Sequence, residues 1–137
     1  MKIVVIDGQG GRLGHQLIEE LKEAAAGHTL VAIGTNALAT SSMLKAGAVQ
    51  AATGENAVCL NVQDADLVLG PIGILAADSL LGEVTPRMAL AVGRSRAHKL
   101  LIPISKCNHE VIGVGNFTMS ELVQMAVQAA KRYIAAH

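Results

Sequence analysis

The chain begins with a β-branched run that ends at a cluster of glycines, and a helical pattern follows directly. The run covers Lys2–Asp7 and stops at Gly8. Apolar residues then recur at helical spacing over Leu13–Ala25, Gly27 is placed to cap that helix, and Thr29–Ile33 is a second strand-like run. This order of strand, glycine turn, helix and strand is typical of a parallel sheet, in which a helix crosses over between neighbouring strands.

The same alternation continues along the rest of the chain. Thr85 followed by Pro86 is a cap and a first-turn proline, and Thr118 and Glu121 have capping-box spacing before the last helix. The predicted strands after the first two are Ala48–Ala52, Asp66–Gly70 and Lys99–Ile104, and the predicted helices are Asn36–Ala46, Glu55–Val62, one over about 85–97 and a final one after residue 118.

A sixth strand is predicted at Glu110–Val114, with its direction reversed. Only five residues separate it from the fifth strand, whereas a parallel return needs a crossover of about a dozen residues. We therefore expect this last strand to run antiparallel.

The composition fits a sheet that is buried on both faces. Apolar residues make up 51% of the chain and aromatic residues only 1%, so a core must be built from aliphatic side chains packed around small ones. Together with the alternation, this predicts an α/β fold, a doubly wound, mostly parallel sheet of five to six strands with helices on both faces. Because the sequence has no linker or repeat, residues 1–137 are predicted to form one domain.

The charge balance and the hydropathy limit the classes of partner. Eleven basic residues match eleven acidic ones, so no overall field attracts nucleic acid or an anionic membrane, and we predict neither partner. The apolar start is too short for a signal peptide, and Cys59 and Cys107 are isolated, so a cytoplasmic location is expected. A mean hydropathy of +0.42 is high for so small a domain, and it predicts a homo-oligomer that buries apolar surface between subunits.

The glycine-rich turn after the first strand is the strongest functional signal. In an open parallel sheet the ligand lies beyond the carboxyl ends of the strands, and glycines there let a phosphate approach the amides at a helix start. We therefore predict that a small molecule containing phosphate binds at the loops that follow three of the strands. The candidate residues are Asp7, Gly8, Gln9, Gly10, Gly11, Arg12, Leu13 and Gly14 after the first strand, Gly34, Thr35 and Asn36 after the second, and Gly70, Pro71, Ile72 and Gly73 after the fourth.

The turn departs from the dinucleotide fingerprint, so the identity of the nucleotide stays open. Leu13 stands where G-x-G-x-x-G, counted from Gly8, needs its third glycine. The second strand ends in Gly34-Thr35-Asn36 rather than in the acid that holds the ribose of NAD. Because Arg12 can face a 2′-phosphate, the predicted cofactor is NADP or another nucleotide, with a mononucleotide equally admissible. The alternative is a tight turn with no ligand.

A second polar loop follows the fifth strand and holds the candidates for catalysis. Lys106, Cys107 and His109 place a cation, a nucleophile and an imidazole at the predicted ligand edge. A small buried cysteine is the more common role for such a residue, and the catalytic residues stay unknown. The pair of Cys107 and His109 is too sparse for a structural zinc site, so no metal is predicted.

Several separated motifs resemble those of one family. They are V-I-D-G-Q-G-G, G-T-N-A, T-G-E-N-A and G-P-I-G, which begin at Val5, Gly34, Thr53 and Gly70. They are similar to motifs of a family of small bacterial proteins described as a domain of unknown function with a Rossmann-like sheet. The resemblance covers nearly the whole chain and implies that fold, but no activity. In that family Gly-Ile-Gly-Lys usually follows the first glycines, where this chain has Arg12-Leu13-Gly14-His15.

Three functions remain open from the sequence, and whether the chain is an enzyme is undecided. The first is a nucleotide-binding module that acts as a sensor or subunit without chemistry of its own. The second is a compact NADP-dependent oxidoreductase completed by a neighbouring subunit, although Tyr133 is followed by Ile-Ala-Ala-His rather than by the lysine that short-chain dehydrogenases use. The third is a small transferase or isomerase that uses Lys106, Cys107 or Glu55 on a phosphorylated substrate.

Overall fold

The structure is a computed structural model that describes residues 1–104 and 108–137. Strands and helices alternate along the chain, as the sequence predicts. The strands are β1 (Lys2–Asp7), β2 (Thr29–Gly34), β3 (Gln50–Thr53), β4 (Leu67–Pro71) and β5 (His98–Ile102). The helices are α1 (Arg12–Leu21), α2 (Ala37–Lys45), α3 (Glu55–Asn61), α4 (Pro86–Arg94) and α5 (Met119–Ala136), and a 3-10 turn (Ile72–Leu75) follows β4.

The five strands form one parallel sheet with β1 at its centre. Their order is β3-β2-β1-β4-β5, and every neighbouring pair is parallel. Val4 lies opposite Val31 on one side and opposite Val68 on the other. The chain moves outward from β1 to β3 and then returns to the other side of β1 for β4, so the strand order reverses between β1 and β4. The predicted α/β architecture with a parallel sheet is confirmed.

Each face of the sheet is covered by its own core. Side chains of β1 alternate, with Ile3 and Val5 in one core and Val4 and Ile6 in the other. The first core lies under α1, α2 and α5, and the second lies under α3 and α4. All four side chains are at most 1% exposed, and burying one of this size stabilises a fold by about 1.5–3 kcal/mol. The central strand therefore anchors both layers of helices.

The predicted sixth strand is wrong. Glu110–Val114 forms no strand, and no antiparallel pair occurs within the described residues. Gly113 has a left-handed φ of 91°, so this segment turns where a strand would need extended backbone. The fifth strand also ends earlier than predicted, at Ile102, because Pro103 has no amide to donate to the ladder.

The cap residue itself supplies a capping side chain at the starts of α2, α4 and α5, but not at the start of α1. Thr85 accepts a hydrogen bond from the Met88 amide at 3.2 Å. Thr118 and Glu121 form a reciprocal capping box, as predicted. Gly11 holds the cap position of α1 and has no side chain to accept a hydrogen bond. The amides at the start of α1 therefore depend on acceptors from elsewhere.

In the described part of the chain, no helix has both the length and the apolar character needed to cross a bilayer.

Candidate functional site

A crevice opens at the carboxyl ends of β1 and β4, where the strand order reverses. Its volume is about 170 Å³. Residues 7–13 of the glycine turn line one wall, and Pro71 at the end of β4 lines another. Leu80, Ile104 and Met119 complete the lining with apolar side chains. Ligands of open parallel sheets bind at this position, so the crevice is the candidate site.

The glycine turn between β1 and α1 bends tightly. The Gly11 amide donates a hydrogen bond to the Gly8 carbonyl at 3.0 Å. Gln9 and Gly11 both have left-handed backbone, with φ of 50° and 74°. A Cβ at Gly11 would also stand 2.7 Å from the backbone of Ala39. Both the conformation and the space at Gly11 therefore require glycine.

The carboxylate of Asp7 caps α1 from the end of β1. It accepts hydrogen bonds from the amides of Gly8 at 2.8 Å and Gly14 at 2.7 Å, and the Leu13 amide also contributes. Leu13 and Gly14 are the second and third residues of α1, so Asp7 does for their amides what a capping side chain does in other helices. The amides of Gly8 and Gly14 are thus already paired, although the sequence analysis assigned them to a ligand.

Asp7 is almost completely buried, with 6% of its surface exposed. Burial raises the pKa of its carboxyl above the ordinary 3.8, even though the amides of Gly14 and Gly8 favour the ionised form. The negative charge of Glu83 raises the pKa of Asp7 further. The protonation of Asp7 is therefore sensitive to any charge that enters the crevice.

Glu83 covers the other side of the turn. Its carboxylate accepts hydrogen bonds from the Gln9 amide at 2.8 Å, the Thr35 hydroxyl at 2.7 Å and the Asn36 side-chain amide at 2.7 Å. Partial burial raises the pKa of Glu83, but these three hydrogen bonds outweigh it, so the pKa lies below the ordinary 4.5. A carboxylate does therefore lie at the end of β2, but it comes from the segment before α4.

The segment that carries Glu83 has a strained backbone. Leu80 and Leu81 have left-handed φ values of 54° and 56°, and such conformations cost about 1–3 kcal/mol each in residues other than glycine. This path brings Leu80 over the turn, where a Cβ at Gly8 would lie 2.8 Å from its methyl group. Strain of this kind is concentrated at functional sites, so we include this segment in the candidate site.

Two amides of the turn remain open to the crevice. Within residues 1–104 and 108–137, the amides of Gly10 and Arg12 have no hydrogen-bond acceptor. A Cβ at Gly10 would meet no atom of residues 1–104 and 108–137 within 4 Å, so as far as these residues go a ligand can approach this backbone closely. Arg12 is exposed, and no described carboxylate forms an ion pair with it. The two amides and the guanidinium lie at the positive end of the α1 dipole, where an anion is stabilised.

Nearly the whole chain matches one family, described as "Domain of unknown function (DUF3842)", over residues 2–135. The chain belongs to the DUF3842 family. The resemblance to a family of unknown function is thus confirmed, whereas the individual motifs that suggested it stay untested.

No curated protein matches the DUF3842 chain. Among solved structures, the crystal structure of a nucleoside-diphosphate-sugar epimerase from Pseudomonas aeruginosa has 14% sequence identity and a TM-score of 0.43. The alignment covers 98% of this chain and 48% of the epimerase chain. The DUF3842 chain therefore spans about half the length of that structure.

Most predicted site residues outside the first turn of the DUF3842 chain do not line the crevice. Gly70 packs inside the sheet, where a Cβ would lie 2.5 Å from the Ile6 carbonyl oxygen, and Ile72 and Gly73 lie in the 3-10 turn. Thr35 and Asn36 donate to Glu83. Among the described residues, the predicted site residues that do not line the crevice are Gly14, Gly34, Thr35, Asn36, Gly70, Ile72 and Gly73.

The predicted catalytic loop lies partly outside the described residues. Lys106 and Cys107 belong to that undescribed stretch, and His109 is exposed and does not line the crevice. Elsewhere in the chain, as far as it is described, no three His, Cys, Asp or Glu side chains come together as metal ligands would. Among its described residues, the crevice presents two free amides, the Arg12 guanidinium, the largely buried Asp7 carboxylate and apolar side chains.

Glu83, Leu80 and Met119 belong to the site but are not predicted from the sequence. Glu83 is 74 residues away from Gln9 along the chain, and its segment shows neither strand nor helix periodicity. One signal was available, because Leu-Leu-Gly-Glu ends two residues before the helix start at Thr85, which lies at the ligand edge of the sheet. An acid at such a place is a candidate for contact with the neighbouring loops.

Proposed function

We propose that the DUF3842 chain is a nucleotide-binding module in which the crevice holds a phosphate group over Gly10 and Arg12. The proposal depends on one observation, the amides of Gly10 and Arg12, which have no acceptor among the described residues and lie before and at the start of α1, where the strand order reverses. Backbone N–H groups and the helix dipole at such a position favour a negative charge. The exposed guanidinium of Arg12 adds a positive charge whose fork geometry suits phosphate.

The size of the crevice favours a mononucleotide over a dinucleotide. Pockets that enclose whole organic ligands have volumes of about 300–1,000 Å³, whereas the crevice has about 170 Å³. It has room for a phosphate and part of the group attached to it, and Leu80, Ile104 and Met119 offer an apolar surface to a base or sugar. NADP needs more space than this crevice offers.

The two enzymatic alternatives have no supporting side chain at the described part of the crevice. Tyr133 stacks between the rings of His98 and His137, with centroids 4.6 Å and 4.1 Å away. His98 begins β5, so this tyrosine lies near the amino ends of the strands, opposite the crevice. Glu55 accepts a hydrogen bond from the Thr85 hydroxyl at 2.6 Å, at the start of α4. We therefore propose binding without chemistry on this chain.

A panel of ligands tests the proposal. Calorimetry measures the affinity of the purified chain for each compound, and thermal unfolding measures the change in its melting temperature. The compounds are AMP, ATP, FMN, NAD, NADP, a sugar phosphate and inorganic phosphate. We expect a mononucleotide to bind and to raise the melting temperature, because a ligand that binds only the folded state stabilises it. A response to sugar phosphate alone favours the transferase, and a response to NADP alone favours the oxidoreductase. If no compound binds with a Kd below about 1 mM, the proposal is wrong.

A further inference from the structure

The two edges of the sheet are built differently. β3 is four residues long, with the sequence Gln-Ala-Ala-Thr. β5 is five residues long and ends in Leu-Leu-Ile, with no charged side chain after Lys99. An edge strand has a row of unpaired N–H and C=O groups, and proteins usually protect such edges by shortness or by charge. The last three residues of β5 have no protective charge.

An apolar groove of about 510 Å³ lies beside β5. It is bounded by β5, residues 113–117 and the first half of α5, and its walls include Leu101, Phe117 and Leu122. None of the described residues that line it carries a charge. Because burying a charge in such surroundings is unfavourable, the groove selects an apolar occupant.

Large apolar side chains project around the same groove. Met125, Phe117 and Val114 line the groove and are 52%, 44% and 43% exposed, and Ile112, which precedes Gly113 of the lining, is 87% exposed. A cluster of this kind on a small protein marks an interaction surface. The patch offers both a hollow and projecting side chains, so it is complementary to a copy of itself.

We propose that a second copy of this chain covers the apolar groove and the outer edge of β5. Two β5 strands related by a twofold axis perpendicular to the sheet pair in the antiparallel direction. Residues 111–117 of each copy then lie in the apolar groove of the other. The two five-stranded sheets join into one sheet of ten strands, and neither β5 edge is left unpaired.

Four features favour a second copy over a different protein. The outer edge of β5 complements itself, because an antiparallel ladder pairs the N–H and C=O groups of two identical strands. The hollow and the projecting side chains belong to one patch, so a single twofold axis satisfies both. The formal net charge is zero, so no long-range repulsion keeps two copies apart. A mean hydropathy of +0.42 in a chain of this size agrees with burial of apolar surface between copies.

Sedimentation velocity of the full chain tests the proposal. We expect the wild type to have twice the chain mass of 14.1 kDa. Ile112→Asp and Met125→Asp each place a charge in the contact and should weaken dimerisation by about tenfold or more, while their exposed positions leave the fold intact. Val49→Asp is the matched control, because Val49 is 92% exposed and lies next to β3 at the other edge.

The outcomes are distinct. A wild-type chain that remains monomeric at about 100 µM overturns the proposal. A dimer that resists both charged substitutions near β5 also overturns it. An oligomer that only Val49→Asp dissociates places the interface at β3 and contradicts the proposal in the same way.

Disulfide trapping tests the strand pairing separately. In a chain with Cys59→Ser and Cys107→Ser, one cysteine at a time is placed at positions 99–101 of β5. Residues that face each other across an antiparallel ladder have Cα atoms about 4.5–5.5 Å apart, a distance that a disulfide spans. We expect at least one of these variants to form a covalent dimer on mild oxidation, and Ala51→Cys in β3 to remain uncrosslinked. No crosslink at β5, or equal crosslinking at both edges, contradicts the pairing.

Discussion

The Gly14 amide donates a hydrogen bond of 2.7 Å to the carboxylate of Asp7, which ties the first turn of α1 to the end of β1. Gly14 also brings the helix close to its neighbours, since a Cβ there would lie 2.8 Å from the Asp7 Cβ and 2.6 Å from the Met43 sulfur. The third glycine of the dinucleotide fingerprint has the same packing role. The turn therefore packs helix and strand as closely as a dinucleotide-binding turn does. The Asp7 carboxylate, however, accepts hydrogen bonds from amides that would otherwise be free to bind a phosphate.

Substitution of two neighbouring glycines should separate backbone strain from open space. Gly11→Ala places a methyl group on a residue with a left-handed φ of 74° and pushes it against Ala39. We therefore expect this variant to lose about 2–4 kcal/mol in the free energy of unfolding. The methyl group of Gly10→Ala meets no atom in the described part of the chain, so this variant should change that free energy by less than about 0.5 kcal/mol. Urea denaturation measures both. Equal losses in the two variants would contradict the turn geometry.

Arg12→Ala should weaken nucleotide binding by about tenfold or more, because a hydrogen bond to a charged group contributes about 1.5–3 kcal/mol. Gly10→Ala should weaken it as well, since the new methyl group lies where the ligand approaches the amide. Arg132→Ala is the control, because Arg132 is exposed on α5 and does not line the crevice. Calorimetry with the best ligand of the panel measures all three. Unchanged affinity in both crevice variants places the ligand elsewhere.

The Asp7 carboxyl should titrate above pH 3.8, because burial raises its pKa. A raised pKa means that the folded protein binds this proton more readily than the unfolded chain. Stability from this group therefore increases as the pH falls through the raised pKa towards 3.8, and it is lowest above that range. Carbon-13 NMR of the side-chain carboxyl measures the midpoint. A value below 3.8 would show that the amides of Gly8 and Gly14 outweigh burial.

Glu83 should act in the opposite direction. Partial burial raises its pKa, but the hydrogen bonds from Gln9, Thr35 and Asn36 outweigh this and hold the pKa below 4.5. Its contribution to stability is full above 4.5 and is lost as the pH falls through the lower pKa of the folded state. Glu83→Gln should remove this part of the pH dependence, as followed by urea midpoints from about pH 6 to pH 3. Glu23→Gln, at an exposed position, should behave like the wild type.

The order of strands and helices could be predicted because each of its signals is local. The β-branched run of Lys2–Asp7 and the capping pairs at Thr85 and Thr118 act over a few residues, and the structure has a strand or a helix start at each. Glu110–Val114 has the same local signal, since it is rich in β-branched residues, but it forms no strand. A turn at Gly113 decides the conformation there, and a preference summed over five residues does not reveal it.

The candidate site could be predicted only in part, because its hydrogen bonds connect distant segments. The position of the glycine turn at the ligand edge follows from a local pattern. Which amides remain free does not, since Glu83 reaches Gln9 across 74 residues and Met119 closes the crevice from the last helix. Nothing in the sequence near Asp7 indicates that its side chain turns back to cap α1.

The carboxylates of Asp7 and Glu83 bond three amides of the turn, so the turn does not need a ligand to keep its shape. The negative charges of the same two groups make the site favour ligands that carry fewer negative charges. A highly charged polyphosphate meets more repulsion beside them than a nucleoside monophosphate does, and the difference grows where the site is shielded from water. Protonation of Asp7, whose pKa burial raises above 3.8, should weaken this selection as the pH falls.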